Sequence, residues 1–255
     1  MSAATLLVFG PTGVGKTTFL AALARGGDRA PLEPLDAETA RFLAEEAGRL
    51  ARGRPVPATL HTRRLALGLR TARERRRVRF SVPDYPGGDV APGTRSDVRA
   101  DYECAAGVLV LLPPMSASVR AADAYAEDAR AARAQELVSV FERTLPPGGL
   151  PVAVALSMAD RAGLDAASAT PEAARAYLET HHRGLVELVL RYAPDARFFA
   201  LSAYGSTPAG RPQEPDPSGR PFGLAPPVEW LLAGAEAAAW RQVEGTPPES
   251  DARRR

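Results

Sequence analysis

Short, continuous apolar runs alternate along this chain with stretches of helical periodicity. Thr5-Leu6-Leu7-Val8-Phe9 is such a run, ending at a glycine, and it predicts a strand buried on both faces. Thr17 to Ala24 follows with apolar residues at helical spacing, and Gly26-Gly27 stops the helix. A second helix is predicted from about Asp36 to Arg52, where Leu35, Phe42, Leu43, Ala47 and Leu50 make an apolar stripe and Asp36 offers an N-cap. Leu65 to Leu69 and Val78 to Val82 read as strands joined by the polar turn Thr71 to Arg77, for which a hairpin is the simplest connection.

From there strand and helix alternate. The expected elements are strand Gly107 to Leu112, helix Val119 to Arg143, strand Pro151 to Leu156, helix Pro171 to Tyr192, strand Arg197 to Leu201 and a last helix near Val228 to Trp240. The predicted fold class is therefore α/β. It has a mostly parallel sheet of about six strands, one of them an antiparallel hairpin strand, with helices on both faces. A single domain is expected over residues 1–243, with a helical insert at about 35–52. Residues 205–227 are rich in Pro and Gly and read as a long surface loop, and 244–255 read as a disordered tail.

Composition narrows the function classes. With 32 basic and 30 acidic residues the formal net charge is +2, so no bias toward nucleic acid or an anionic membrane is expected. Cys104 is the single cysteine, which fits a reducing compartment and leaves no cysteine-built zinc site. The most apolar stretch, Ala105 to Leu112, is too short to span a bilayer, so a cytoplasmic protein without a transmembrane segment is expected. Almost every basic residue is Arg, and Lys16 is the one lysine of the chain. An ammonium is a compact point charge that fits between phosphate groups where the broad guanidinium fork does not.

Lys16 lies in Gly10-Pro11-Thr12-Gly13-Val14-Gly15-Lys16-Thr17, which fits G-x-x-x-x-G-K-[ST] between a predicted strand and a predicted helix. The glycines let backbone N–H groups face inward, and the helix N-terminus adds its positive dipole end. Lys16 is expected on the outer phosphates and the Thr17 hydroxyl on Mg²⁺. Gly10, Thr12, Gly13, Val14, Gly15, Lys16, Thr17 and Thr18 are the expected phosphate-binding residues. Asp84-Tyr85-Pro86-Gly87 has the form D-x-x-G at the end of a strand. Asp84 is expected to hold Mg²⁺ through water, with the Gly87 N–H approaching a γ-phosphate, so that this loop senses the terminal phosphate.

On these motifs the chain resembles the P-loop GTPases of the Ras-like, translation-factor-related class, over roughly residues 4 to 204. The helical insert before a Pro-x-Thr segment is similar to bacterial GTPase-like domains of that class. The resemblance implies a threonine that closes over Mg²⁺ and the γ-phosphate. Thr59 in Arg54-Pro55-Val56-Pro57-Ala58-Thr59 is the best match, and Thr62 is the runner-up. Ser157-Met158-Ala159-Asp160 resembles the base-reading motif [NT]KxD. Asp160 would accept hydrogen bonds from guanine N1 and N2, and Met158 would pack on the purine as an apolar arm. Ser157 in place of Asn or Thr would leave the loop tie weaker. Ser202-Ala203-Tyr204 resembles the SAK loop, in which the central N–H meets guanine O6, with Tyr204 in the lysine position.

The implied ligands are GTP or GDP with Mg²⁺, and Lys16, Thr59 and Gly87 are the implied catalytic residues of a GTPase switch read by an unknown effector or activating protein. The class places a glutamine after the D-x-x-G glycine to orient the attacking water, and Gly88 stands there instead. Hydrolysis is expected to be slow unless Asp89, Arg95 or a partner supplies the missing group. Two other readings stay open: an ATP-dependent enzyme such as a small-molecule kinase, and a nucleotide-binding scaffold that does not hydrolyse. Arg73-Glu74-Arg75-Arg76-Arg77 reads as a solvated hairpin tip, His181 and His182 as exposed helix residues, and Trp230 and Trp240 as core packing.

Overall fold

A computed structural model describes residues 4–10, 13–26, 32–57, 63–70, 77–84, 101, 105–114, 150–206 and 218–244. The strands are β1 (Ala4–Phe9), β2 (Leu32–Pro34), β3 (Arg63–Arg70), β4 (Arg77–Asp84), β5 (Ala105–Leu112), β6 (Val152–Leu156) and β7 (Arg197–Ala200). The helices are α1 (Lys16–Ala24), α2 (Ala37–Ala51), α3 (Pro171–His181), α4 (Arg183–Tyr192) and α5 (Ala225–Glu244), with a 3₁₀ turn at Ala159–Ala162.

The apolar runs become the middle of a seven-stranded sheet in the order β2-β3-β4-β1-β5-β6-β7. β1 is parallel to both β4 and β5, and β6 and β7 continue the parallel array. β3 runs antiparallel to β4 and to β2, so among the described residues it is the one strand of opposite direction. Alternate side chains of β1 serve opposite faces, as strand geometry requires. Leu6 and Val8 join Leu109 and Leu111 beneath Phe19, Leu20 and Leu23 of α1 and Leu231 and Leu232 of α5. Leu7 and Phe9 join Val108, Val110 and Val154 against Leu178 of α3 and Leu185, Val186 and Val189 of α4. Helices thus cover both faces, and each fully buried Leu or Phe contributes roughly 1.5–3 kcal/mol of transfer free energy.

The helix ends follow local chemistry. Asp36 caps α2 by accepting from the Thr39 N–H at 2.7 Å. Thr170 caps α3 by accepting from the Ala173 N–H at 3.1 Å, and Pro171 pre-sets the first turn.

The sheet has one strand more than expected, the edge strand β2, whose three residues include Pro34. The helix expected over Pro171–Tyr192 is broken at His182, which leaves helical geometry at φ −133°. His182 is half-buried, not exposed, with Nε2 2.9 Å from the Pro113 carbonyl at the end of β5. The stretch read as a surface loop to residue 227 is in part core. Phe222 and Leu224 are buried, and Ala225–Pro227 open α5. Trp230 packs on Phe199 at 6.3 Å between ring centroids, as expected of a core residue. The helix expected at Val119–Arg143, Cys104, Thr12, Thr59, Thr62, Gly87, Gly88, Asp89, Arg95, the turn at 71–76, the part of the loop at 207–217 and the tail at 245–255 lie outside the described residues.

Candidate functional site

Parallel registration brings strand ends together. Phe9 pairs with Val110, Leu112 with Leu156, and Leu156 with Ala200, so Gly10, Ser157 and Ser202 follow strands that finish along one edge of the sheet. The strand order also reverses at β1, with β4 on one side and β5 on the other. Open parallel sheets bind ligands at such a place.

The first loop is shaped by two glycines. A Cβ at Gly10 would lie 2.7 Å from the Leu111 carbonyl oxygen and 2.7 Å from Val14 Cγ1, so no larger residue fits between β5 and the loop. Gly15 caps α1 at φ 89°, a left-handed conformation that other residues adopt only with strain. Val14 is buried in the core and fixes the loop from beneath. Lys16 and Thr17 open α1 almost out of solvent, at 8% and 9% exposure. The Lys16 ammonium donates to the Gly10 carbonyl at 2.9 Å, so it lies folded back across the loop. The first turn of α1 holds no acidic side chain to compete with an anion for the helix dipole.

The second loop follows β6. Ser157 is buried, and both its N–H and its hydroxyl donate to the Leu112 carbonyl, at 2.8 and 3.1 Å. Met158 sits at φ 51°, the one left-handed non-glycine backbone among the described residues. Such strain concentrates at functional sites. It carries the thioether toward the loop before α1, where Met158 Cε would lie 3.7 Å from a Cβ on Gly15. Asp160 then points at the third loop, where the buried Ser202 hydroxyl donates to its Oδ1 at 2.6 Å. The same hydroxyl accepts from the Gly205 N–H at 2.9 Å. The Ala159 N–H donates to the Leu201 carbonyl at 3.0 Å, and Ser202 and Phe222 exchange both backbone bonds at 3.0 Å.

The four loops expected to act together follow strands that run parallel and end on the same side of the sheet. Gly10, Gly13 to Thr18, Ser157 to Asp160 and Ser202 to Ala203 follow β1, β6 and β7. Asp84 ends β4, the strand beside β1 on its other flank, where Ala4 pairs with Phe80 and Thr5 with Ser81. Thr17 stands in the first turn of α1, and Asp84 is the last residue of β4; hydroxyl and carboxylate oxygens are the hard donors that suit Mg²⁺. No cluster of three or more His, Cys, Asp or Glu that could hold a metal occurs among the described residues. Thr59 and Gly87 lie outside the described residues.

Tyr204 escaped assignment from sequence. It is half-buried and packs against the core cluster to which α1 contributes. Burial pushes its pKa above the usual 10.0, with Asp160 adding to that and Arg161 opposing it. The signal available was a tyrosine directly after the Ser-Ala pair. The segments that bury it are distant in sequence and meet it only in the folded chain.

No protein-family model matches the chain, and no curated protein matches it. Solved structures with a similar layout include the one described as nucleolar GTP-binding protein 1 from Plasmodium falciparum, at 10% identity and TM-score 0.46, covering 95% of this chain and 91% of that one. Another is the Arl6 BBS3 small GTPase from Trypanosoma brucei with bound GppNp, at 16% identity and TM-score 0.47, covering 92% of this chain and 99% of that one. At such identities and scores the chemistry must be read from this chain's own residues. Among the described residues, no helix is long and apolar enough to cross a membrane.

Proposed function

We propose that the chain is a P-loop guanine-nucleotide-binding protein, a switch that hydrolyses GTP slowly to GDP and phosphate. The amides of Gly13 to Lys16 and the Lys16 ammonium hold the β- and γ-phosphates. Thr17 and Asp84 hold Mg²⁺, with Thr59 closing the site. When bound, the ion neutralises charge on the β- and γ-oxygens. Asp160 accepts from the guanine N1–H and N2–H, a pair of donors that adenine does not present, and the Ala203 N–H donates to O6. Gly87 meets the γ-phosphate, so the loops carrying Thr59 and Gly87 change order with hydrolysis and an effector reads them.

The observation that carries this proposal is the Asp160 carboxylate held by Ser202 on the same sheet edge as the Gly10–Thr17 loop, with Met158 reaching Gly15 between them. An ATP-dependent enzyme would leave that anchored carboxylate without a role. The nucleotide released from the purified, denatured protein and resolved by chromatography tests the proposal. GDP or GTP is expected; adenine nucleotide alone would contradict it. Gly88 favours slow turnover, and a scaffold that never hydrolyses remains the second reading. Phosphate release with and without candidate partners separates the two.

A further inference from the structure

The backbone just beyond β5 has no donors of its own. Pro113 and Pro114 follow Leu112, and neither carries an N–H, so hydrogen bonds can hold the strand's end there only through carbonyls. Side chains from distant segments take both of the carbonyls concerned. The Leu112 carbonyl accepts from the Ser157 N–H at 2.8 Å and from the Ser157 hydroxyl at 3.1 Å. The Pro113 carbonyl lies 2.9 Å from His182 Nε2. A carbonyl oxygen only accepts, so Nε2 carries the proton and donates.

His182 is fixed by the two helices it separates. Its N–H donates to the Leu178 carbonyl at 2.7 Å, closing α3, and its own carbonyl accepts from the Leu185 and Val186 N–H groups at 3.0 Å, opening α4. It stands at the N-cap of α4 with φ −133° and ψ 33°, yet its side chain gives that helix no bond, and the ring serves Pro113 instead. Leu178, Leu185 and Val186 are buried in one cluster with Leu112 and Leu156, so the helix pair that carries the imidazole packs on the strands whose ends it meets. Ser157, which shares that strand end, opens the loop that continues through Met158 to Asp160, the carboxylate that accepts from Ser202 at 2.6 Å.

Resting on the guanine-nucleotide proposal, we infer that His182 is a positioning residue for the base: by holding the Pro113 carbonyl it fixes the β5 end to which Ser157 is tied, and through Ser157 it places the Asp160 carboxylate. A carboxylate that must meet a pair of donors at once loses both when its loop shifts slightly. The loop before α1 leaves β1, not β5, so a ligand that fills only the phosphate end does not depend on the Pro113 bond.

The test titrates the full chain, with Mg²⁺ present, against GTP and against inorganic tripolyphosphate. His182→Leu fills the site without a donor, His182→Gln keeps an amide N–H at the reach of Nε2, and His182→Asn has an amide one bond too short. His182→Leu and His182→Asn are expected to weaken GTP binding by about fivefold, the worth of one hydrogen bond, while tripolyphosphate binds as to wild type and His182→Gln retains GTP binding. Should circular dichroism show the leucine variant unfolded, the asparagine variant carries the comparison. Ser157→Ala combined with either is expected to lose less than the sum of the single losses, because both changes loosen the same strand end. If wild type binds GTP and the variants lacking the donor bind it equally well, the inference fails while the guanine-nucleotide proposal stands. Equal losses for GTP and tripolyphosphate, a glutamine variant as weak as the leucine one, or additive losses in the double variant overturn it too. A wild type that binds no GTP overturns both.

Discussion

Ser202 donates its hydroxyl to Asp160 Oδ1 at 2.6 Å, and this bond spans the ends of two neighbouring parallel strands. It leaves the carboxylate oriented by a buried partner that is itself locked to Phe222 through the backbone. A carboxylate held this way has lost little freedom still to lose on meeting a pair of ligand donors.

Ser202→Ala is expected to weaken GTP binding by about tenfold or more, the worth of a hydrogen bond to a charged group. Asp160→Asn should do something more specific. Its amide offers one acceptor and one donor edge, which suits xanthine, where a carbonyl replaces the guanine amine. Competition titrations should show preference moving from GTP to XTP. Equal loss for both nucleotides would remove Asp160 from the base site.

Lys16→Ala is expected to lower nucleotide affinity by about a hundredfold, with an unchanged circular dichroism spectrum. Lys16→Arg should not restore binding, because the guanidinium is too broad for a loop in which the ammonium already lies 2.9 Å from the Gly10 carbonyl. Full binding by the arginine variant would show that the loop is more open than its glycines indicate.

Gly88→Gln is expected to raise the rate of single-turnover phosphate release by about tenfold or more, since it returns a side chain able to orient water. Binding affinity for GTP should stay near wild type. An unchanged rate would mean that the slow step lies elsewhere, or that the chain holds nucleotide without hydrolysing it.

His182 gives the fold a pH dependence of definite sign. Burial lowers its pKa below the usual 6.5. Its Nε2 lies 2.9 Å from the Pro113 carbonyl, a bond that opposes the shift, while the neighbouring His181 reinforces it. The unfolded chain therefore takes the proton more readily. The stability this group contributes is present above about 6.5 and is lost as pH falls through the lowered value. Thermal melts should show stability falling as the pH is lowered below about 6.5, a fall that His182→Gln reduces. An identical drop in the variant would mean that other groups set it.

The strand, loop and helix around Gly10 to Thr17 were legible because their signal is local. Gly10, Gly15 and Lys16 must stand at fixed spacing between a strand and a helix, whatever the rest of the chain does. The central strands were legible because Leu6 to Phe9 and Val108 to Leu112 are buried on both faces and therefore apolar without alternation. Strand β2 was not, since three residues including a proline carry no period, and its pairing to β3 is what makes it a strand. The break at His182 escaped notice because the residues on both sides of it keep helical spacing. Only the Pro113 carbonyl, far off in sequence, shows what the break accommodates. Phe222 and Leu224 were hidden by the prolines and glycines around them, and the burial of Tyr204 depends wholly on the packing of distant segments.

The most direct measurement is a calorimetric titration of nucleotide-free wild-type protein with GTP and, separately, with ATP, both with Mg²⁺. GTP should bind at one site per chain and ATP far more weakly, because an Asp160 that reads the base would find its paired donors on guanine alone. ATP binding as tightly as GTP, or no binding of either, would contradict the central claim.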